Sequence, residues 1–316
     1  MQKRDLIEVV KLLIDTYDNQ LLIENKEKIS GMLNKLDTET IEELLFRKDE
    51  HGIKSVDSRT LNFLRDNNYD MKNICFDNIN VSNHNYSNLL NMVINVDKIY
   101  AHDISNTVLN GVKIMGSLDN AVVNGTNFKG YKGKLILNPQ KVKNKDLSIT
   151  VLDGVIIDGL FDDCDIFSVN FEGVQGGVYI NPQKVKNKDL RNVNFDGVNI
   201  IGDSGKKPSF KDCKIRQTSF KGAKGIIEIN PQELDIHNNY LLYCNFNGVK
   251  FTGGFENLTL LGNEFKGSEN AVIDLNSVRD ARIITQKTLD DVDYIPIKEK
   301  NNTIKIFSKI LRRNTL

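Results

Sequence analysis

Val193-Asn194-Phe195-Asp196-Gly197-Val198-Asn199-Ile200-Ile201-Gly202 reads as two consecutive phrases of five residues. Each opens on a β-branched residue, carries a polar residue second and a large apolar residue third, and closes on glycine. The rhythm returns in Cys213-Lys214-Ile215-Arg216-Gln217 and Thr218-Ser219-Phe220-Lys221-Gly222. If each phrase is one side of a coil, the first and third residues point inward and stack on their equivalents about 4.7–4.9 Å away in the next coil, burying a continuous apolar column. A narrow inner corner needs a small first residue, the second faces water, and glycine in fifth place tolerates the corner backbone.

A longer period lies over the short one. Phe-x-Gly recurs at Phe128, Phe171, Phe220 and Phe265, at intervals of 43, 49 and 45 residues. A second marker runs through Leu109-Asn110-Gly111-Val112, Leu152-Asp153-Gly154-Val155, Phe195-Asp196-Gly197-Val198 and Phe246-Asn247-Gly248-Val249. Phe161-Asp162-Asp163-Cys164-Asp165-Ile166 matches Phe210-Lys211-Asp212-Cys213-Lys214-Ile215. The longest unit holds an extra Asp203-Ser204-Gly205-Lys206-Lys207-Pro208, read as a surface loop. A decapeptide, Asn138-Pro139-Gln140-Lys141-Val142-Lys143-Asn144-Lys145-Asp146-Leu147, is repeated without change at Asn181–Leu190. Duplication at a fixed interval marks a repeat architecture, because a single active site needs each of its groups once.

Val169-Asn170-Phe171-Glu172-Gly173 and Cys244-Asn245-Phe246-Asn247-Gly248 match the pattern of the pentapeptide-repeat family, which the chain resembles over about two thirds of its length. The resemblance implies a mainly β fold, a right-handed quadrilateral β-helix solenoid with five residues to a side. The column expected inside it comprises Phe128, Leu152, Phe161, Cys164, Ile166, Phe171, Phe195, Ile200, Phe210, Cys213, Ile215, Phe220, Phe246, Phe251 and Phe265. Ile157 to Phe161 and Phe251 to Phe255 step by four, so corners are shortened there. The decapeptide is expected to leave the coil as an excursion, because Lys145 and Lys188 would otherwise take a buried small-residue position and Pro cannot donate to a ladder.

Residues 1–70 carry helical spacing and are expected to cap the array or to bind a partner. Leu6, Val9, Val10, Leu13, Ile14 and Tyr17 share one face; Ile29, Met32, Leu33 and Leu36 repeat the pattern. Thr40 and Glu43 resemble a capping box, and a short helix starts at Ser58. The array is assigned to 71–295. Residues 296–316 form a basic tail whose Ile306, Phe307, Ile310 and Leu311 suit one face of a capping helix, with contact to a membrane surface as the alternative.

Composition narrows the function. Lys+Arg and Asp+Glu both count 42 and the mean hydropathy is −0.35, an ordinary soluble balance that argues against nucleic acid as a partner. The amino end shows no secretory pattern, and Cys75, Cys164, Cys213 and Cys244 are spread without a Cys-x-x-Cys pair, so reduced thiols in a cytoplasm are expected. No catalytic, cofactor or metal constellation emerges. His51, His84, His102 and His237 lie apart, and the Asp162, Asp163, Asp165 cluster becomes Lys211, Asp212, Lys214 one unit on. Lys141, Lys143, Lys145, Lys184, Lys186 and Lys188 form a basic strip if the excursions stack, the candidate interaction surface for another protein; a homodimer through a coil end or terminal segment stays open.

The expected function is a rigid, non-enzymatic interaction surface. Some pentapeptide-repeat proteins mimic DNA and occupy DNA gyrase, which makes a topoisomerase-interacting role one alternative. Residues 76–295 carry 24 basic and 26 acidic side chains, too balanced for a DNA mimic. A carbohydrate-active β-helix enzyme is the other alternative and would need carboxylates converging in one groove.

Overall fold

The structure is a computed structural model that describes residues 3–16, 25–275, 277–279, 290 and 292–295. Its packing separates two compact units. One holds the chain to Asp146 with Thr150–Asp158, and the other holds Leu147–Ile149 with the chain from Gly159.

The first unit begins with helices α1 (Lys3–Asp15), α2 (Lys26–Leu33) and α3 (Thr38–Leu45). Leu6, Val10, Ile14, Ile29, Leu33, Ile41 and Leu45 are their buried stripe, at the spacing that puts residues on one helix face. The cap of α3 differs from the capping box read at Thr40. Asp37 is the N-cap, its Oδ1 accepting from the Thr40 amide at 3.0 Å, so Thr40 lies inside the first turn. The Lys3 ammonium beside Asp37 and the Thr40 donors hold that carboxyl below the usual carboxylate range.

Residues 46–56 depart from the all-helical expectation. β1 (Phe46–Lys48) and β2 (Lys54–Val56) form an antiparallel hairpin, and β2 pairs in parallel with β3 (Ile79–Asn80). The hairpin thus covers the open backbone edge of the first coil, where unpaired strand groups would otherwise invite association. Helix α4 (Ser58–Asp66) follows, capped by Asp57 and burying Leu61, Phe63 and Leu64.

From Asp70 the chain runs in short parallel ladders. In the first unit β4 (Val93–Asn95) pairs with β5 (Lys113–Met115), and β6 (Ile136–Leu137) with β7 (Ile156–Ile157). A second face is ladder-paired through Asn85, Val108, Asn127 and Val151, bringing Tyr86, Leu109, Phe128 and Leu152 to equivalent buried places. In the second unit β8 (Tyr179–Ile180) pairs with β9 (Asn199–Ile200), and Asn170, Asn194, Ser219, Asn245 and Glu264 form one continuous ladder. Beside that ladder Phe171, Phe195, Phe220, Phe246 and Phe265 stack in sequence, centroids 5.4–6.3 Å apart and ring planes within 24°.

The two phenylalanine markers are therefore one column on alternate coils. Phe161, Phe210 and Phe255 meet it edge-on every second coil. Between Phe195 and Phe220 the buried side chains are Val198, Ile200, Phe210, Cys213, Ile215 and Thr218, with the large ones Ile200, Phe210 and Ile215 among them. Every residue expected in the column is buried, Cys164 and Cys213 included.

The decapeptide is wall, which corrects the excursion. Leu137, Val142, Leu147, Leu152 and Ile157 are all buried, as are Ile180, Val185, Leu190, Phe195 and Ile200, so the step of five passes straight through both copies. Backbone bonds from Lys143 N to Ala121 O and from Lys186 N to Cys164 O, each 3.0 Å, lace it to the neighbouring coil. Lys145 and Lys188 escape burial because the corner is a tight turn with two successive left-handed residues: Asn144 and Lys145 (φ 57 and 51), then Asn187 and Lys188 (φ 54 and 49). Bonds from Asp146 N to Lys143 O and from Asp189 N to Lys186 O close it, as in a type I′ turn. The interruption of the rhythm lies elsewhere. Phe128 to Leu137, Phe171 to Ile180 and Phe220 to Ile229 each span nine residues, four of them extra, and each stretch contains a second glycine.

Candidate interaction surface

The duplicated phrase divides into a structural half and an exposed half. Asn181 Oδ1 accepts from the Gln183 amide at 3.0 Å, Pro182 is buried, and Gln183 Nε2 donates to Ser209 O (3.0 Å) and Lys211 O (2.9 Å). Its amide thus bridges the two carbonyls flanking Phe210. Asn230-Pro231-Gln232 repeats the arrangement on Gly254 O and Glu256 O around Phe255. The Asn-Pro-Gln part survives in that unit for this reason while the lysines give way to Glu233 and Asp235.

The six candidate lysines fall into two groups of three, one in each unit. Asp119 meets Lys141 at 3.1 Å. Lys184 lies between Asp162 (3.5 Å) and Asp203 (3.2 Å), Lys186 faces Asp165 (3.5 Å) and Lys188 faces Asp212 (3.3 Å). Hydrogen bonding to Asp203, with the charge of Asp162, raises the Lys184 ammonium above its ordinary value. The candidate surface is thus a ladder of alternating sign rather than a bare basic strip. The pairs lie at the surface, where solvent screens them, so their effect is to fix where charges stand. Lys143 makes no ion pair among the described residues.

The same pairs account for the acidic cluster. Asp162 and Asp165 each pair with a lysine of the next coil. Two of the four histidines are likewise corner residues: His102 (φ 52) takes the turn position of Lys145 and Lys188, and His237 opens the turn whose left-handed residues are Asn238 and Asn239. Burial pushes the thiols of Cys213 and Cys244 up to about 12, which suits inert packing groups, and Cys75 is exposed. No helix among the described residues is long and apolar enough to cross a membrane. The tail at 296–316 lies outside the described residues.

Sequence reasoning missed one concavity. A cleft of about 420 Å³ in the second unit is lined by Arg191, Lys214, Arg216, Asp235, His237 and Tyr240 among others. Its signal was present in the spacing: Leu234 to Leu241 spans seven residues where five complete a side.

With its step of five carried by buried residues on successive coils, the chain is built like a pentapeptide-repeat protein. Solved structures similar to it include HetL, a pentapeptide repeat protein involved in heterocyst differentiation regulation from the cyanobacterium Nostoc sp.. That likeness has 12% identity, covers 66% of this chain and 93% of that one, and has a TM-score of 0.23. QnrB1, a plasmid-mediated fluoroquinolone resistance protein, is similar at 15% identity in a trypsin-treated form, covering 66% and 89% with a TM-score of 0.20. Its full-length form gives 13%, 71% and 95%, with a TM-score of 0.17. No family model matches the chain, and no curated protein matches it.

Proposed function

We propose that the chain is a non-catalytic member of the pentapeptide-repeat family, its coils right-handed and square in section, serving in the cytoplasm as a rigid surface for a protein partner. The helices and hairpin of residues 1–70 act as the cap of the array at 71–295. The observation that carries the reading is the cross-coil pairing of lysine with aspartate. Charges tied to a ladder are held at backbone spacing, so a partner with complementary alternation meets them without ordering long side chains. Sequence neutrality supports a protein partner over nucleic acid.

Reversing Lys141, Lys143, Lys184 and Lys186 to Glu tests the assignment in pull-downs from the native cytoplasm. The expected result is loss of a salt-sensitive partner that the wild type retains. Identical partners eluting at identical salt would reduce the ladder to a solvated face.

A further inference from the structure

The cleft lined by Arg191, Lys214 and Arg216 is made by chain length. Asp235 N donates to Cys213 O at 3.0 Å, and Gln217 N donates to Leu242 O at 2.9 Å. Between these two rungs the segment 213–217 faces the longer segment 235–242, so the ladder opens.

That opening strands a donor. Alternate residues of a parallel strand turn their backbone groups toward the same neighbour. Lys214 uses both of its groups on the preceding coil, donating to Lys188 O and accepting from Leu190 N, each at 3.0 Å. The amide of Ile215 accordingly faces the following coil. At the equivalent place Ile104 N donates to Val122 O at 3.1 Å and Leu190 N to Lys214 O, whereas the Ile215 amide has no acceptor among the described residues. An unmatched backbone N–H in a concavity is a ready donor to an oxyanion.

Cations surround it. Lys214 and Arg216 make no ion pair among the described residues. Arg191 is held in place by Asp189, through Nε at 2.8 Å and Nη2 at 2.6 Å, and lies 5.3 Å from the centroid of the Phe167 ring. Asp189 takes up the charge of Arg191 and also acts on Lys214, and the lining adds the carboxylate of Asp235, so the three cations outnumber the nearby carboxylates by one. Arg279 touches two of the lining residues, donating to Asn238 O at 2.8 Å and lying 5.6 Å from the centroid of the Tyr240 ring. Tyr240 itself is 43% exposed and offers an apolar wall.

We infer that this cleft binds a phosphoryl group, either as inorganic phosphate or as the ester of a small organic molecule. An oxyanion matches the excess of positive charge, and the Ile215 amide supplies the directed donor. The volume sits within the roughly 300–1,000 Å³ typical of small-molecule sites, leaving room for an organic portion against Tyr240.

Calorimetric titration of the full chain at low ionic strength with inorganic phosphate, phenyl phosphate and acetate tests it. Saturable binding of one phosphate per chain, weakened by added salt and exceeding that of acetate, is expected. Tighter binding of phenyl phosphate marks the ester as the preferred form, and equal binding marks the free ion. Lys214→Glu with Arg216→Glu should weaken either phosphate by roughly tenfold or more, while Lys35→Glu, at an exposed helix-end position, should leave binding unchanged. If the double variant does not melt cooperatively, Arg216→Gln carries the comparison, with a smaller loss expected. No saturable heat from either phosphate, or equal affinity in a folded variant and wild type, overturns the proposal.

Discussion

Ile149 stands in the left-handed region (φ 61), where the equivalent positions 43 residues away on either side are Asn106 and Asn192. Asparagine enters that region at little cost because its short polar side chain bonds locally, whereas a β-branched side chain crowds its own backbone. Ile149 is also 58% exposed, so its side chain returns little by burial. Ile149→Asn is expected to stabilise the fold by about 1 kcal/mol. A higher denaturant midpoint at unchanged slope is the check, and a lower one would contradict the turn geometry. Corner residues explain what the sequence concealed at this scale. Lys145 and Lys188 look like buried positions to anyone counting fives, but two consecutive positive φ values swing them outward. Nothing in a lysine announces that conformation.

The stacked phenylalanines are the unit of stability at the scale of the element. Phe195, Phe220 and Phe246 are each stacked on both sides, and full burial of such a side chain stabilises by about 1.5–3 kcal/mol. Phe195→Ala removes a ring that has stacked partners on both sides and leaves a cavity that the laddered backbone cannot collapse around. A loss of about 3–5 kcal/mol is expected from equilibrium unfolding, with Phe195→Leu well below it. Equal losses for both would mean that ring stacking is not what holds the column. The column was legible in the sequence because a third residue repeated at five is an unambiguous period. The decapeptide was not, because its inward members are Val142, Leu147 and their copies, modest residues among six conspicuous lysines. The hairpin at 46–56 was hidden for another reason: β2 pairs with β3, more than twenty residues further on, and no local pattern encodes that partner.

At the scale of the whole molecule, charge decides between kinds of partner. Equal totals of acidic and basic side chains, with surface pairs such as Lys186–Asp165 and Lys188–Asp212, give alternation and little net field. A duplex presents one negative charge about every 1.7 Å of its axis, and a surface imitating it would have to be uniformly acidic. Added protein is accordingly expected to leave DNA gyrase supercoiling unchanged; dose-dependent inhibition would reverse the ranking of partners. The candidate lysines were legible in the sequence but their aspartate partners were not, since Asp162 and Lys184 become neighbours only when coils stack.

The cleft beside Ile215 carries a lesson about how such a protein acquires sites. Its core is closely filled, with Phe195, Phe220 and Phe246 each stacked on both sides, and substitution there is costly. Coil length is under no such constraint. Two added residues between Leu234 and Leu241 withdraw one rung and leave the column beneath untouched, Phe220 and Phe246 still stacked at 5.9 Å. In an architecture of this kind, insertion and deletion are the natural means of opening new recognition sites, one coil at a time, without renegotiating the interior.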